Sequence, residues 1–324
     1  MATAKVLGTQ SFVHTLSACW LRPSLTALEV SWRWSYGIPA CVLLWRQVRQ
    51  VLLAATGGTL DPARLGLDRV LLHDPVGALS AGPLEAAAKF SAAFSLVLPG
   101  LGHVALWLVP LLVAAWVVVS SLGRTAVLRR ADPRMHTRVA ALMGLQAIRM
   151  LALGAVFGTW FGAVRWSGGI AINAPIAAGT EPNLILYCAL VIVFTLGLFV
   201  AWAFLSWVFA VAPLLAMLRN LGVLSSLRAG FALGPLRTRL IEVNLVMGVI
   251  KIALIVLAMV FSATPLPFEG VTTPEFLAWW WAGVALLYIL WSDFFHVTRL
   301  VGYLNLWREF EAETGTDFPR IATD

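Results

Sequence analysis

Runs of apolar residues longer than 18, repeated along the chain, constrain this sequence more than any other feature. A run of that length spans a bilayer as a helix, because its backbone groups can all be hydrogen-bonded within the segment. Composition agrees: 60% of the 324 residues are hydrophobic and only 12% are charged, about half the usual charged fraction of a soluble domain. These values exclude a disordered chain and a nucleic-acid-coating protein. The fold expected is all-α, a polytopic transmembrane helical bundle of about six spans.

The spans predicted from hydropathy cover residues 35–56, 92–122, 139–163, 183–212, 240–263 and 276–304. Residues 1–34 then form a cytoplasmic or interfacial segment, 35–305 the bundle and 306–324 a cytoplasmic polar tail. The first span is the weakest, because Pro39, Arg46, Gln47, Arg49 and Gln50 interrupt it. Thr26 and Glu29 have capping-box spacing, and Trp32 and Trp34 suit a membrane interface. The mixed stretch from Val6 to Leu16 is too polar for a signal-peptide core, so the chain is expected to start near Met1.

Charge placement sets the orientation. The chain carries 23 Lys and Arg against 16 Asp and Glu, a formal charge of +7. With a cytoplasmic N-terminus, 15 cations fall in inner segments, four (Arg64, Arg69, Lys89, Arg165) in outer ones and four (Arg46, Arg49, Arg149, Lys251) within spans. This favours N-in and C-in. Asp132-Pro133, Pro175, Pro182, Pro265 and Pro267 fall in the connections. A short amphipathic helix is expected over 65–72 on the outer face, and basic amphipathic helices near 124–138 and 219–237 on the inner one. Trp160, Trp166, Trp279 to Trp281 and Trp307 mark interfaces.

Two blocks read alike. Ser120-Ser121-Leu122 followed by Ile148 to Leu153 can be laid over Ser225-Ser226-Leu227 followed by Ile250 to Leu254, which would be a parallel two-hairpin repeat. Any two hairpins that obey the positive-inside rule share this much, so duplication stays open.

Ionisable residues inside a bilayer cost several kcal/mol each and are functional candidates by default. Arg149 lies 11 residues above Arg138, Lys251 lies 12 above Arg239, and Asp293 lies about ten from the inner end of its span. All three therefore share one layer, roughly 15 to 18 Å from the inner face. Asp293 is the acid expected to neutralise Arg149 or Lys251, while Glu242 matches Arg299 in an inner polar layer with Asn244 and His296. A polar path for an ion or anionic substrate, or an ion pair that fixes helix register, would each use these residues.

Gly154, Gly158 and Gly162 form one glycine face suited to close approach of another helix, within the chain or from a partner. His103 and His296 differ by roughly 15 Å in depth, which disfavours a bis-histidine haem and leaves each as a candidate for single tetrapyrrole ligation. No metal site is expected, and Cys19, Cys41 and Cys188 have neither disulfide nor zinc spacing. Walker, GxSxG and HExxH signatures are missing from the sequence, so no catalytic residue is named.

The segment from Ser226 to Leu236, basic and amphipathic and leading into an apolar helix, resembles uncharacterised bacterial multi-span proteins and is similar to the membrane domain attached to some glycerophosphodiester phosphodiesterases. That resemblance implies only a helical bundle with basic interfacial helices on the cytoplasmic side, and the phosphodiesterase activity is not carried over. The expected function is a non-enzymatic structural or accessory subunit of a bacterial inner membrane. It would associate with lipids, with itself or with other membrane subunits, and not with nucleic acid. No cofactor is expected beyond bound lipid. A transporter or channel using Arg149, Lys251 and Asp293 is the alternative, and a pigment- or haem-binding subunit comes third.

Overall fold

The computed structural model describes residues 8–59, 61–65, 67, 82–232, 236–263 and 273–314. Among them there are helices and no strand. They are α1 (Gly8–Trp20), α2 (Pro23–Ala55), α3 (Pro83–Ala131), α4 (Val139–Gly168), α5 (Leu184–Leu218), α6 (Val223–Phe231), α7 (Leu236–Ala263) and α8 (Pro274–Thr314). All but α1 and α6 are long and apolar enough to cross a membrane, six in total. The expected helix over 65–72, the prolines at 265 and 267 and the last ten residues lie wholly or mostly outside the described residues.

Each predicted span is present, and most are longer than hydropathy shows. Helix α2 is continuous through Pro39 and starts at Pro23, with proline at the first helical position, where its missing N–H costs nothing. Thr26 and Glu29 are therefore inside the helix and do not cap it. Residues 124–131 continue α3 and are not a separate interfacial helix, so the expectation for 124–138 fails. Helix α4 runs through one π turn, Gly169–Asn173, to Ala177, which places Pro175 in helix. Helix α8 extends to Thr314, so the polar tail expected from 306 begins as helix. Only α6 matches the expected inner amphipathic helix. It buries Ser226, Ala229 and Gly230 and exposes Leu224, Arg228 and Phe231. Ser120-Ser121 sits within continuous α3 whereas Ser225-Ser226 sits in the separate α6, so the two blocks are not structurally equivalent.

The chain divides into two compact units, residues 33–119 and the remainder. In the smaller unit the Tyr36 hydroxyl donates to the Leu112 carbonyl at 2.9 Å, and a Cβ on Gly100 would lie 2.7 Å from Val51 Cγ1. In the larger unit one core gathers Leu128, Leu142, Leu145, Val211 to Met217, Leu240, Val243, Met247, Leu300, Tyr303 and Trp307. These residues come from the C-terminal ends of α3, α5 and α8 and the N-terminal ends of α4 and α7. The other halves of α4, α5, α7 and α8 present Leu151, Phe161, Ile192, Phe199, Ile252 and Trp279 at the surface. A bilayer offers no hydrophobic drive to bury such side chains, so the core lies at the packed end and the other halves are tied by single contacts, such as the Trp160 indole N–H donating to the Thr195 hydroxyl at 3.0 Å and the Trp280 indole N–H to the Phe261 carbonyl at 2.6 Å.

Polar contacts fasten that end. Asp132 pairs with Arg308 and accepts the Arg134 backbone N–H at 3.1 Å, tying the α3–α4 turn to α8. Arg138 donates to the Asn220 carbonyl at 2.8 Å and to its side-chain oxygen. Asn220 takes a left-handed φ of 57°, which asparagine tolerates. Trp307, expected at an interface, is 2% exposed and carries the Arg219 guanidinium 4.8 Å from its ring centre. Helix α1 packs against α7 and α8, burying Thr15 and Cys19. Burial pushes the Cys19 thiol up, more than its hydrogen bond with Thr298 and the nearby Arg22 charge pull it down.

Candidate functional site

Immediately above the core, α3, α4, α5, α7 and α8 enclose a cavity of about 580 Å³. Arg124 reaches it from α3, Arg149 from α4, Lys251 and Asn244 from α7, and His296 and Arg299 from α8. Each cation lies one to a few turns beyond a buried residue of its own helix, as Arg124 does from Leu128 and Arg299 from Tyr303, so the core fixes where the charges meet. The rest of the wall is largely apolar, including Phe199, Val200, Trp207, Ile241, Leu245 and Leu300.

The two layers expected from sequence are thus one chamber. Arg149 and Lys251 share it with Asn244, His296 and Arg299, whereas Asp293 and Glu242 are not among its lining residues. Depth along a helix axis could not give the direction in which Asp293 points. Asp293 is 3% exposed, buried outside the chamber wall.

A second buried acid was read from sequence only as a capping residue. Glu29 is fully buried on the first part of α2. Its Oε2 accepts the Trp32 indole N–H at 2.8 Å, and its Oε1 lies 3.8 Å from His296 Nε2. The other imidazole nitrogen, Nδ1, lies 3.0 Å from Arg299 Nη2. A guanidinium can only donate, so Nδ1 accepts and the His296 proton sits on Nε2, facing Glu29. Trp32, half-buried, therefore holds a buried acid by its indole N–H. Beside it the Tyr303 hydroxyl donates to Asn244 Oδ1.

The charge of the chamber wall favours an anion. Among the described residues its lining holds four permanent cations, Arg124, Arg149, Lys251 and Arg299, plus His296, and no carboxylate. An anion inside the chamber would meet guanidinium and ammonium donors from several sides.

The remaining expectations are distributed elsewhere. Gly154, Gly158 and Gly162 have nothing within 4 Å of an added Cβ, so the glycine face receives no helix among the described residues, and the intramolecular packing reading is corrected. Close approaches occur at isolated glycines, where a Cβ on Gly123 would overlap the Trp32 ring and one on Gly144 would lie 2.7 Å from Val223. His103 belongs to the smaller unit, where it lines an open cleft with Gln47, Gln50 and Val51. Among the described residues no group of three His, Cys, Asp or Glu is placed to hold a metal ion. No protein-family model matches the chain, no curated protein matches it, and no solved structure matches it.

Proposed function

We propose that this is a multi-pass protein of a bacterial inner membrane, with both termini cytoplasmic, that binds and carries an anionic ligand in the cation-lined chamber. The carrying observation is the meeting of Arg124, Arg149, Lys251, His296 and Arg299, from four helices, around one cavity of about 580 Å³. That volume suits a small-molecule site. A carrier of this kind is favoured over the accessory subunit, and no reaction is assigned to it. Its test is thermal unfolding of the purified chain with and without inorganic phosphate, glycerol phosphate or an anionic lipid. A rise in melting temperature with at least one, lost in Arg149→Gln and Lys251→Gln, supports the proposal. No rise with any of them defeats it. Orientation is tested separately by labelling Thr9→Cys from each side, and labelling from the periplasmic side alone would refute N-in.

The structural or accessory role keeps one observation in its favour, the open face at Gly154, Gly158 and Gly162. Native mass spectrometry of the 35.1 kDa chain extracted from its own membrane tests it. A larger assembly that Gly158→Leu disrupts supports a partner on this face, and a lone chain removes it.

A further inference from the structure

The chamber is asymmetric in a way that bears on what enters it. Toward the core it is closed by Leu300 and Ala210. Between α5 and α7 its lining residues are also surface residues: Phe199 is 68% exposed, Leu245 is 69% exposed, and Val200 and Ile241 are about half exposed. Among the described residues these two helices share few close backbone contacts, and the chamber opens sideways between them through an apolar slot. Both helices are long and apolar enough to span a membrane, and in a bilayer this slot would meet lipid chains.

Resting on the reading of the chamber as an anion site, we propose that its ligand is an anionic amphiphile. A phosphate-bearing lipid headgroup sits among Arg149, Lys251 and Arg299, and its acyl chains leave between α5 and α7 along Phe199, Val200, Ile241 and Leu245. A phosphate accepts hydrogen bonds from several guanidinium and ammonium donors at once, and the chamber supplies them from three helices. The side open to the surface is apolar, so a hydrated anion entering that way would lose water against Phe199 and Leu245, whereas an acyl chain gains contact there. The volume is equivalent to about twenty water molecules at about 30 Å³ each, more than a bare phosphate would fill. Asn244, held by Tyr303, adds a neutral polar group suited to a glycerol hydroxyl.

The experiment is native mass spectrometry of the full-length chain in mild detergent. Phosphatidylglycerol, phosphatidylcholine of the same chain length and water-soluble glycerol phosphate are titrated in turn. The expected result is retention of phosphatidylglycerol at least tenfold over phosphatidylcholine, falling about tenfold in Lys251→Gln and in Arg149→Gln. Leu245→Asn and Phe199→Asn, which leave the cations in place, should also reduce lipid retention severalfold. Leu205→Asn should not, because at about 3.6 residues per turn it lies on the opposite face of α5 from the lining residues. Gel filtration of each variant identifies any that misfold, and Phe199 and Leu245 serve as independent tests of the slot. If glycerol phosphate binds as tightly as the lipid and the slot variants have no effect, the lipid proposal falls while the anion site stands. Equal retention of both lipids with no binding of glycerol phosphate overturns both.

Discussion

Gly123→Ala is the sharpest test of the packing around the buried acid. A methyl at this position would overlap three atoms of the Trp32 ring, the farthest of them at 2.7 Å, where carbon contacts need about 3.5 Å. Even that atom must retreat by about 0.8 Å, and the ring's N–H is thereby pulled off Glu29 from the present 2.8 Å. Overpacking of this kind costs about 1–3 kcal/mol, and a lost buried hydrogen bond costs about 1–3 kcal/mol. The gain from replacing a helical glycine by alanine is about 0.5–1 kcal/mol, leaving a net loss of about 1–5 kcal/mol. At about 2–4 °C per kcal/mol, the melting temperature should drop by about 2–20 °C. Gly154→Ala is the internal control. It meets nothing within 4 Å and keeps only the helix gain, so its melting temperature should stay level or rise by a degree or two. Both are read from the monodisperse fraction after heating, by gel filtration in one detergent. Combining Gly123→Ala with Trp32→Leu should cost little more than Trp32→Leu alone, because the ring is the obstacle. A Gly123→Ala protein melting with the wild type, or a full alanine penalty persisting in the Trp32→Leu background, would refute the geometry.

Trp307→Ala should cost about 3–5 kcal/mol, because a 2% exposed indole leaves a cavity in the core, and detergent-solubilised yield should collapse; stable, monodisperse protein would contradict its core position. Asp132→Asn and Arg308→Gln should each lower the melting temperature, with the double variant well short of additive, since the carboxylate is buried and paired; additive losses would mean that the pair is not coupled. Cys19, buried and with its thiol pushed up, should resist water-soluble maleimide at pH 7 in the folded protein and react after denaturation. Raising the pH should speed labelling only above the ordinary thiol range, because the thiolate is the reactive form, and rapid labelling at neutral pH would place Cys19 at an accessible surface.

The six apolar helices were legible in the sequence because length and hydropathy are local quantities, and a membrane span needs about 20 apolar residues wherever its neighbours stand. The charges within those helices were legible for the same reason. Arg149, Lys251, His296 and Arg299 were singled out as ionisable groups within spans and assigned by depth to two layers, whereas all four line one chamber. Helix ends were less legible, since α3 runs on through Leu128 and α8 through Trp307, both buried in the core, where tertiary contacts sustain helix beyond the apolar span.

What only the tertiary structure decided is direction around each helix axis. Counting residues gives height at about 1.5 Å per residue, but which neighbour a side chain faces depends on how helices pack. That is why Asp293 lies off the chamber, why Glu29 in a capping pattern is buried beside His296, and why Trp307 lies in the core. It is also why the regular glycine face on α4 stays open, while solitary Gly123 and Gly144 mark the tight contacts. A sequence pattern records which side chains a helix can offer, and only the packing of the other helices determines which of them are used.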